Sequence, residues 1–390
     1  MLYKIKQNID SWYFLIIILT TLFSKVYVMQ HPDFKVQDLP LKNIKYNELN
    51  KLIILANREL ARYDWLIQSI SNPGILLSSL TTSESVSSSR IEWTQTTFSE
   101  VVKYESSLKE SNKKYADIQE VINYKKALLY AVEKIQEDNH LTLNLIKEIH
   151  SILLDWVRWT NKDRWNFRMK QNWIWTLWST PENCEYLPPA PEDVLRHLKN
   201  LEEYFEYEDY DPLVQIAIIH SQFESIHPFL DGNGRVWRLL IPLFLYSKWI
   251  LSYPSFYMSE YFEYDKYAYV MALREVTHNL NWEWWIKYFL DAVIGQVHHN
   301  TNRINSMQKL YESMKMNVNE ILSTPQFMKI IDFIFKKPIF TVNEFIENTG
   351  ISRATSYKYL EILKNAWYLW LEEDSKVMTY NFKLLLEIIE

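Results

Sequence analysis

Hydrophobic residues recur at helical spacing through most of the chain. In residues 41–70, apolar positions such as Ile53 and Leu60 repeat along one face, which predicts a helix. The chain is therefore predicted to be mainly α-helical. The same spacing predicts further helices over residues 118–135, 141–157, 192–207, 212–225, 235–250, 259–277, 282–297 and 298–322.

Three segments interrupt this pattern. Residues 71–74, with Pro73 followed by Gly74, predict a turn. Residues 81–89 are rich in Ser and Thr, which suits either a linker or the opening of a helix. In residues 167–174 apolar and polar side chains alternate, which predicts a short hairpin before a proline-rich loop that ends at residue 191.

The pattern changes again from residue 324. A helix is predicted over residues 327–335, and residues 342–348 and 353–363 predict a helix-turn-helix around Gly350. Residues 368–380 suit a two-stranded wing. This part of the chain is therefore predicted to be a winged helix-turn-helix domain.

The N-terminal segment has several interpretations. An apolar run at residues 12–23 follows Lys4 and Lys6, but it is shorter than the roughly 20 residues of a membrane span. A signal-like segment, a short anchor and a misplaced start with Met29 as the true first residue are the alternatives. Cys184 is the single cysteine of the chain, which fits a reducing compartment, so a cytoplasmic location is expected.

Charge and composition exclude few functions. The net charge of −6 gives no reason to expect nucleic acid as the main partner. Glycine is scarce and tryptophan abundant, at 5 and 16 of 390 residues. Ordinary usage predicts about 27 glycines in a chain of this length.

Residues 227–238 combine the groups that phosphate chemistry requires. Gly232 and Gly234 permit a nest of inward-facing amides before a helix N-terminus, and both features bind anions. Arg235 and Arg238 lie on one helical face and can pair with phosphate oxygens.

The same stretch supplies a metal ligand and a base. Asp231 is a hard oxygen ligand that suits Mg²⁺ beside phosphates. His227 offers an imidazole, the side chain most often used as a general base near neutral pH. The combination predicts phosphoryl or nucleotidyl transfer.

This stretch resembles the Fic family signature, H-P-F-x-D-G-N-G-R-x-x-R, at every defined position. The resemblance implies a Fic helical core with a small β-hairpin flap, and transfer of AMP from ATP to a Ser, Thr or Tyr hydroxyl of a target protein, the chain itself included. It implies that His227 deprotonates the hydroxyl and that Asp231 holds Mg²⁺. Tyr269 is expected to line the adenine pocket. The phosphate-binding residues implied by the resemblance are Gly232, Asn233, Gly234, Arg235 and Arg238.

Residues 88–92 resemble the inhibitory motif of the family, [S/T]-x-x-x-E-[G/N], except that Trp93 occupies the last position. A glutamate bound to Arg238 would occupy the guanidinium fork that the γ-phosphate of ATP requires. We therefore expect Glu92 to be autoinhibitory. The alternative is a surface helix that follows a serine-rich cap.

Trp237 stands where many Fic sequences have glycine, which suggests a decoding hypothesis. In this hypothesis the source bacterium reads UGA as glycine, whereas the written sequence has tryptophan. The alternative is real divergence with an altered or lost activity. Trp173 and Trp282 resemble true family tryptophans. The other positions that resemble family glycines are Trp65, Trp93, Trp156, Trp159, Trp165, Trp175, Trp249 and Trp367.

The resemblance also divides the chain into domains. A DNA-binding regulator with an inactive or altered Fic domain is the alternative function. Residues 324–390 hold 8 Lys and Arg against 9 Asp and Glu, so they lack a basic footprint. A protein target is therefore preferred to DNA as the partner, and a homodimer is left open. The side chains that would face a DNA groove are Ser352, Arg353, Thr355, Ser356 and Lys358. The predicted domains are an extension (1–40), a Fic N-terminal region with the inhibitory helix (41–115), the Fic core (116–297), a helical connector (298–323) and the winged helix (324–390).

Overall fold

A computed structural model describes residues 36–70, 72–106, 115–138, 140–155, 165–173, 184, 186–372 and 377–390. The apolar run at residues 12–23 lies outside this part of the chain, so its alternatives stay untested. None of the helices in the described ranges combines the length and hydrophobicity that a bilayer crossing requires.

The described fold is mainly helical, as predicted, with one small antiparallel sheet near the C-terminus. The first eight helices are α1 (Tyr46–Ser69), α2 (Pro73–Ile91), α3 (Phe98–Glu105), α4 (Tyr115–Asp138), α5 (Leu143–Leu153), α6 (Pro191–Glu206), α7 (Pro212–Ile226) and α8 (Asn233–Ser247). They are followed by α9 (Ser259–Tyr264), α10 (Lys266–Asn279), α11 (Trp282–Leu322), α12 (Phe327–Lys336), β1 (Ile339–Thr341), α13 (Val342–Thr349), α14 (Arg353–Asn365), β2 (Trp370–Glu372), β3 (Thr379–Asn381) and α15 (Lys383–Ile389).

Helices α7 and α8 form the centre of the largest hydrophobic core and are buried along nearly their whole length. Asp211 begins α7 because its carboxylate accepts the amides of Leu213 and Val214, and Pro212 occupies the first helical position. The long helix α11 packs across α1, α7 and α10. The loop between α7 and α8, which contains the signature, is therefore held by two rigid helices.

Residues 81–89 belong to α2 and are not a linker. Ser85, Ser88 and Ser89 are fully buried, because small side chains let neighbouring helices approach closely. The hydroxyl of Ser85 donates to the carbonyl of Thr81 one turn earlier, which satisfies it inside the core. The predicted turn at residues 71–74 was wrong in its second half, since Pro73 already begins α2.

Two predicted helix boundaries also differ from the structure. The predicted helix over residues 259–277 is two helices, separated at Asp265, whose carboxylate caps α10. The predicted helices over residues 282–297 and 298–322 are one helix of 41 residues, α11. A second hydrophobic core, the C-terminal core, contains Phe335 and Phe340. Met307, Met314 and Val318 are buried in this core, so the second half of α11 packs as part of it.

The C-terminal unit contains the predicted helix-turn-helix, α13 and α14 joined through Gly350. The predicted two-stranded ribbon is β2 and β3, and β1 adds a third strand in the antiparallel order β1-β3-β2. One expectation for a DNA-facing surface was wrong, because Ser356 is fully buried and donates to the carbonyl of Ile351.

The predicted flap hairpin is not seen in the described part of its segment. Residues 165–173 contain no strand. Residues 174–183, which would complete the hairpin, lie outside the described residues.

Candidate active site

His227 caps the C-terminal end of α7 in a left-handed backbone conformation, with φ at 47°. Its amide donates to the carbonyl of Phe223 at 2.9 Å. Its carbonyl accepts from Nε of Arg168 at 2.9 Å and, more weakly, from Nδ2 of Asn172 at 3.4 Å. The backbone of His227 is thus fixed from several sides, while the imidazole keeps access to the adjoining cavity.

Asn233 braces the signature loop. Its Oδ1 accepts the amide of Phe229 and its Nδ2 donates to the carbonyl of the same residue, both at 2.8 Å. Asn233 is 2% exposed. The side chain of Asn233 therefore stabilises the loop, and only its backbone amide remains to meet a phosphate.

Removing the Asn233 amide should destabilise the protein. Asn233→Ala leaves the buried amide of Phe229 without a partner, while the carbonyl of Phe229 keeps the bond from Nδ2 of Asn172 at 2.9 Å, so the free energy of unfolding should fall by about 1–3 kcal/mol. Urea denaturation would measure this fall. The exposed Asn144→Ala, whose amide reaches only Glu148, should change little, and equal stabilities would contradict the bracing role.

His150 supports the loop from below, a contribution that sequence reasoning missed. Its ring stacks on Phe229 with centroids 3.7 Å apart and an interplanar angle of 6°. Its Nε2 lies 3.0 Å from the carbonyl oxygen of Asp231. Burial lowers the pKa of His150 to about 4, so the ring is neutral at physiological pH and Nε2 donates the proton.

This lowered pKa predicts an acid-sensitive fold. The unfolded chain binds a proton at His150 below about pH 6.5, whereas the folded chain resists it until about pH 4. Stability should therefore fall as pH drops through this window, by about 3 kcal/mol in total. His150→Gln should flatten that part of the stability profile in denaturation measured from pH 7 to 4. A variant profile as steep as that of the wild type would contradict the assignment.

The N-terminus of α8 forms a candidate anion site. Gly232 opens the helix with φ at 79°, a conformation that strains any side chain. The next amides, of residues 233–235, have no acceptor within the helix. A Cβ at Gly234 would overlap the carboxylate of Glu92, so the backbone there must stay bare.

Arg235 and Arg238 have different surroundings. Nη1 of Arg235 pairs with Oε2 of Glu120 at 2.9 Å, and Arg235 does not line the cavity next to His227. Burial raises the pKa of Glu120, although Arg235 opposes this effect. Of the two arginines that were predicted to bind phosphate, Arg238 lines this cavity and Arg235 does not.

Arg238 is 3% exposed and is bound by Ser88 and Glu92 at the end of α2. Its Nε and Nη2 donate to Oγ and the carbonyl of Ser88, at 2.8 and 2.9 Å. Nη2 also pairs with Oε1 of Glu92 at 2.7 Å. Burial acts to raise the pKa of Glu92, but Arg238 outweighs it and the pKa is lowered. Ser88 and Glu92 therefore together occupy Nε and Nη2 of the guanidinium.

A cavity of about 260 Å³ connects these groups. His227, Glu92, Arg238 and Tyr269 are among the residues that line it. The hydroxyl of Tyr269 lies 3.0 Å from Nε2 of His220. The structure thus brings the predicted base, inhibitory glutamate, arginine and tyrosine to one cavity.

Asp231 fits a shared magnesium site rather than a site made by protein alone. Its Oδ1 accepts the amide of Gly232 at 2.7 Å, which orients the carboxylate at the start of α8. Among the described residues, no group of three or more His, Cys, Asp or Glu could hold a metal ion. Mg²⁺ is often held by one or two carboxylates together with substrate phosphates, so the role expected for Asp231 stays a prediction.

Comparison with known proteins identifies two domains. Residues 50–133 match the Fic/DOC family N-terminal model, and residues 140–245 match the Fic/DOC family model. The chain therefore contains a Fic N-terminal domain and a Fic domain. Solved Fic structures share its fold, with a TM-score of 0.56 at 19% identity for a Fic family protein from Desulfovibrio desulfuricans, over 88% of this chain and 97% of that one. A Fic domain protein from Bacteroides thetaiotaomicron gives 0.52 at 19% identity, over 63% and 94%.

Curated relatives of this Fic chain are similar over shorter stretches. A protein adenylyltransferase Fic from Nematostella vectensis is 30% identical over 126 residues, which are 31% of this chain and 27% of the relative. The protein adenylyltransferase fic-1 of Caenorhabditis elegans is 38% identical over 63 residues, 15% and 12% of the two chains. The alignments thus span less than a third of these relatives.

Several residues of the Fic site could not be predicted from the motif. Arg168, Glu120 and His150 each contact the signature loop or its arginine from elsewhere in the chain. The only local signal was the apolar spacing around His150, which placed it on a buried helix face.

Proposed function

We propose that this Fic chain is a protein adenylyltransferase, which transfers AMP from ATP to a Ser, Thr or Tyr hydroxyl of a protein and is restrained by Glu92. The observation that carries the proposal is the cavity in which His227 and the Arg238–Glu92 pair meet at the N-terminus of α8. Relatives named adenylyltransferases support ATP as the substrate.

In the proposed reaction, the imidazole of His227 takes the proton of the target hydroxyl. The hydroxyl oxygen then forms a bond to the α-phosphorus, and the bond from that phosphorus to the bridging oxygen of the β-phosphate breaks. Pyrophosphate leaves, and the target keeps AMP as a phosphodiester. Arg238 and the amides at the start of α8 stabilise charge on the phosphates.

Asp231 would hold Mg²⁺, which neutralises phosphate charge when it is bound. Arg235 has an indirect part in this proposal. Its Nη2 lies 3.7 Å from Oδ1 of Asp231, so it orients the carboxylate while Glu120 holds the guanidinium. Tyr269 would form part of the wall against the adenosine.

Two labelled forms of ATP test this reaction. Protein should acquire label from ATP labelled at the α-phosphate and none from ATP labelled at the γ-phosphate. A lysate serves as the source of targets, and purified chain alone tests self-modification. Label from the γ-phosphate above that of the lysate alone, or no label from the α-phosphate even with the Glu92→Gly variant, would overturn the proposal.

The helix-turn-helix does not lead us to propose DNA binding. Ser356 is buried, and the guanidinium of Arg353 is bound to Oδ1 of Asn343. With no excess of basic residues in this unit, the cavity beside His227 is the better supported site.

A further inference from the structure

Four tryptophans adopt a backbone conformation that suits glycine. The φ angles of Trp93, Trp165, Trp249 and Trp367 are 67°, 79°, 58° and 62°. In the described residues, the other non-glycine residues with positive φ are His227, Leu280 and Ser323. A bulky side chain in this region is a steric outlier, whereas glycine enters it without strain.

Trp93 directly follows Glu92, the C-cap of α2, and in proteins this position after a helix cap is most often glycine. Its amide donates to the carbonyl of Arg90 at 2.9 Å, and the amide of Thr94 donates to the carbonyl of Ser89 at 3.1 Å. This pair of bonds is the Schellman motif, which requires a left-handed residue just after the helix cap.

The same motif ends two further helices with tryptophan. Trp249 follows α8 and Trp367 follows α14. Gly350 ends α13 with φ at 69°, so a glycine of this chain already has this role. At the end of α8, the amides of Trp249 and Ile250 donate to the carbonyls of Tyr246 and Leu245. At the end of α14, the amides of Trp367 and Tyr368 donate to the carbonyls of Lys364 and Leu363.

The indole rings at these helix ends contribute no core packing. Trp93, Trp249 and Trp367 are 84%, 79% and 73% exposed. By contrast, Trp282 and Trp285 are buried, and their Nε1 groups donate to Gln37 and Ala217 at 2.6 and 2.7 Å. Among these five described tryptophans, only Trp282 and Trp285 pack their rings into the core, and the sole ring contact at the three helix ends is Nζ of Lys266 at 4.2 Å from the centroid of Trp93.

Trp237 is buried but does not fit its site. Its ring centroid lies 3.1 Å from that of His220, although aromatic pairs prefer roughly 4.5–7 Å. Its buried Nε1 has no hydrogen-bond partner among the described residues. Both observations indicate a site built for a smaller residue.

We infer that positions 93, 165, 237, 249 and 367 are glycine in the protein that the source organism makes. The backbone geometry and the overpacked ring carry this inference independently of any family resemblance. Trp65 lies inside α1 and gives no such signal, so its replacement stays a prediction. Glycine at position 93 would also complete the inhibitory motif after Glu92.

Peptide mass spectrometry of protein isolated from the source organism tests the inference directly. Glycine is expected at all five positions, and tryptophan at positions 282 and 285. The gene should carry UGA at the five positions and UGG at the two others. Tryptophan in the peptides that span the five positions would overturn the inference.

A second test uses two chains made in a standard host. The chain with five glycines should unfold at a midpoint higher by about 5 °C or more than the chain with five tryptophans, because strain is relieved. Trp282→Gly and Trp285→Gly are the matched controls and should lower the midpoint. A lower midpoint for the five-glycine chain would also overturn the inference.

A separate observation concerns Glu224, one turn before His227 on α7. Oε2 of Glu224 lies 3.6 Å from Nδ1 of His227, and both side chains line the cavity. Nδ1 is buried and has no hydrogen-bond partner among the described residues. A small rotation would close this gap, and the carboxylate would then hold the proton on Nδ1 and leave Nε2 as the base.

We propose that Glu224 is a positioning residue for His227, a role that rests on the proposed AMP transfer. In the Glu92→Gly background, Glu224→Ala should lower kcat by about 10- to 100-fold while KM for ATP stays within about twofold. Glu224→Gln should recover most of kcat, because its amide oxygen still accepts the Nδ1 proton. The exposed Glu203→Ala is the matched control.

The tautomer of His227 gives a readout that needs no activity. Nitrogen NMR should find the proton on Nδ1 in the starting protein and a mixture of tautomers in Glu224→Ala. A proton on Nε2 in the starting protein would overturn the positioning role, as would an unchanged kcat or an equal loss in the Gln variant. Absence of transfer in the starting protein would instead count against the proposed function.

Discussion

Glu92→Gly should raise the initial rate of AMP transfer by about 5- to 150-fold. In the resting chain, Nη2 of Arg238 is bound to Glu92 at 2.7 Å, so the donor that a γ-phosphate requires is occupied. Removing the carboxylate frees this donor. Incorporation of α-labelled AMP into lysate protein and into the chain itself would measure the change.

Two variants make this test specific. Glu263→Gly removes a neighbouring carboxylate that lies 3.7 Å from Arg90, without touching Arg238, and should leave the rate unchanged. Glu92→Gln keeps the shape and removes the charge, so it should give an intermediate rate. A rate for Glu92→Gly equal to that of the wild type would dismiss the inhibitory role.

The same ion pair predicts how inhibition depends on pH. Because Arg238 lowers the pKa of Glu92 despite burial, the carboxylate remains charged throughout the neutral range. A carboxyl group whose pKa is lowered in the folded protein contributes its full stabilising free energy at pH values above its ordinary pKa. It loses this stabilising free energy as the pH falls through the lowered pKa. The ratio of variant to wild-type rates should therefore stay constant near neutrality.

The signature loop could be predicted from sequence because its parts are adjacent along the chain. His227, Asp231 and Gly234 lie within eight residues, so the turn itself brings them together. Glu92 is 146 residues from Arg238, and periodicity alone gave no sign of their contact. Only the resemblance to an inhibitory motif predicted that pair.

Other contacts carried no local signal. Glu120 reaches Arg235 across 115 positions, and a glutamate on an amphipathic helix is usually solvated. Half of α11 was predicted as a polar connector because its buried methionines are spaced between charged residues. The second half of α11 is buried because it packs against helices of the C-terminal unit. A contact between separate helices cannot be read from a short window of sequence.

His227→Ala should lower AMP transfer by about 10²- to 10⁴-fold, the usual contribution of a positioned general base. ATP binding should persist, because Arg238 and the amides at the start of α8 are unchanged. The variant is best made in the Glu92→Gly background, where the starting rate is expected to be high. Calorimetric titration with ATP would separate loss of binding from loss of chemistry.

The backbone of His227 requires a second variant. Alanine strains the left-handed conformation at φ 47°, whereas asparagine tolerates it and still provides no base. His227→Asn should therefore be as inactive as His227→Ala but nearer the wild type in stability. The exposed His140→Ala, whose ring meets only Glu206, should keep full activity. Transfer that survives in His227→Asn would mean that another group accepts the hydroxyl proton. The carboxylates that line the described cavity are those of Glu92 and Glu224. Because Glu92 is absent in this background, Glu224 would be the next base to test.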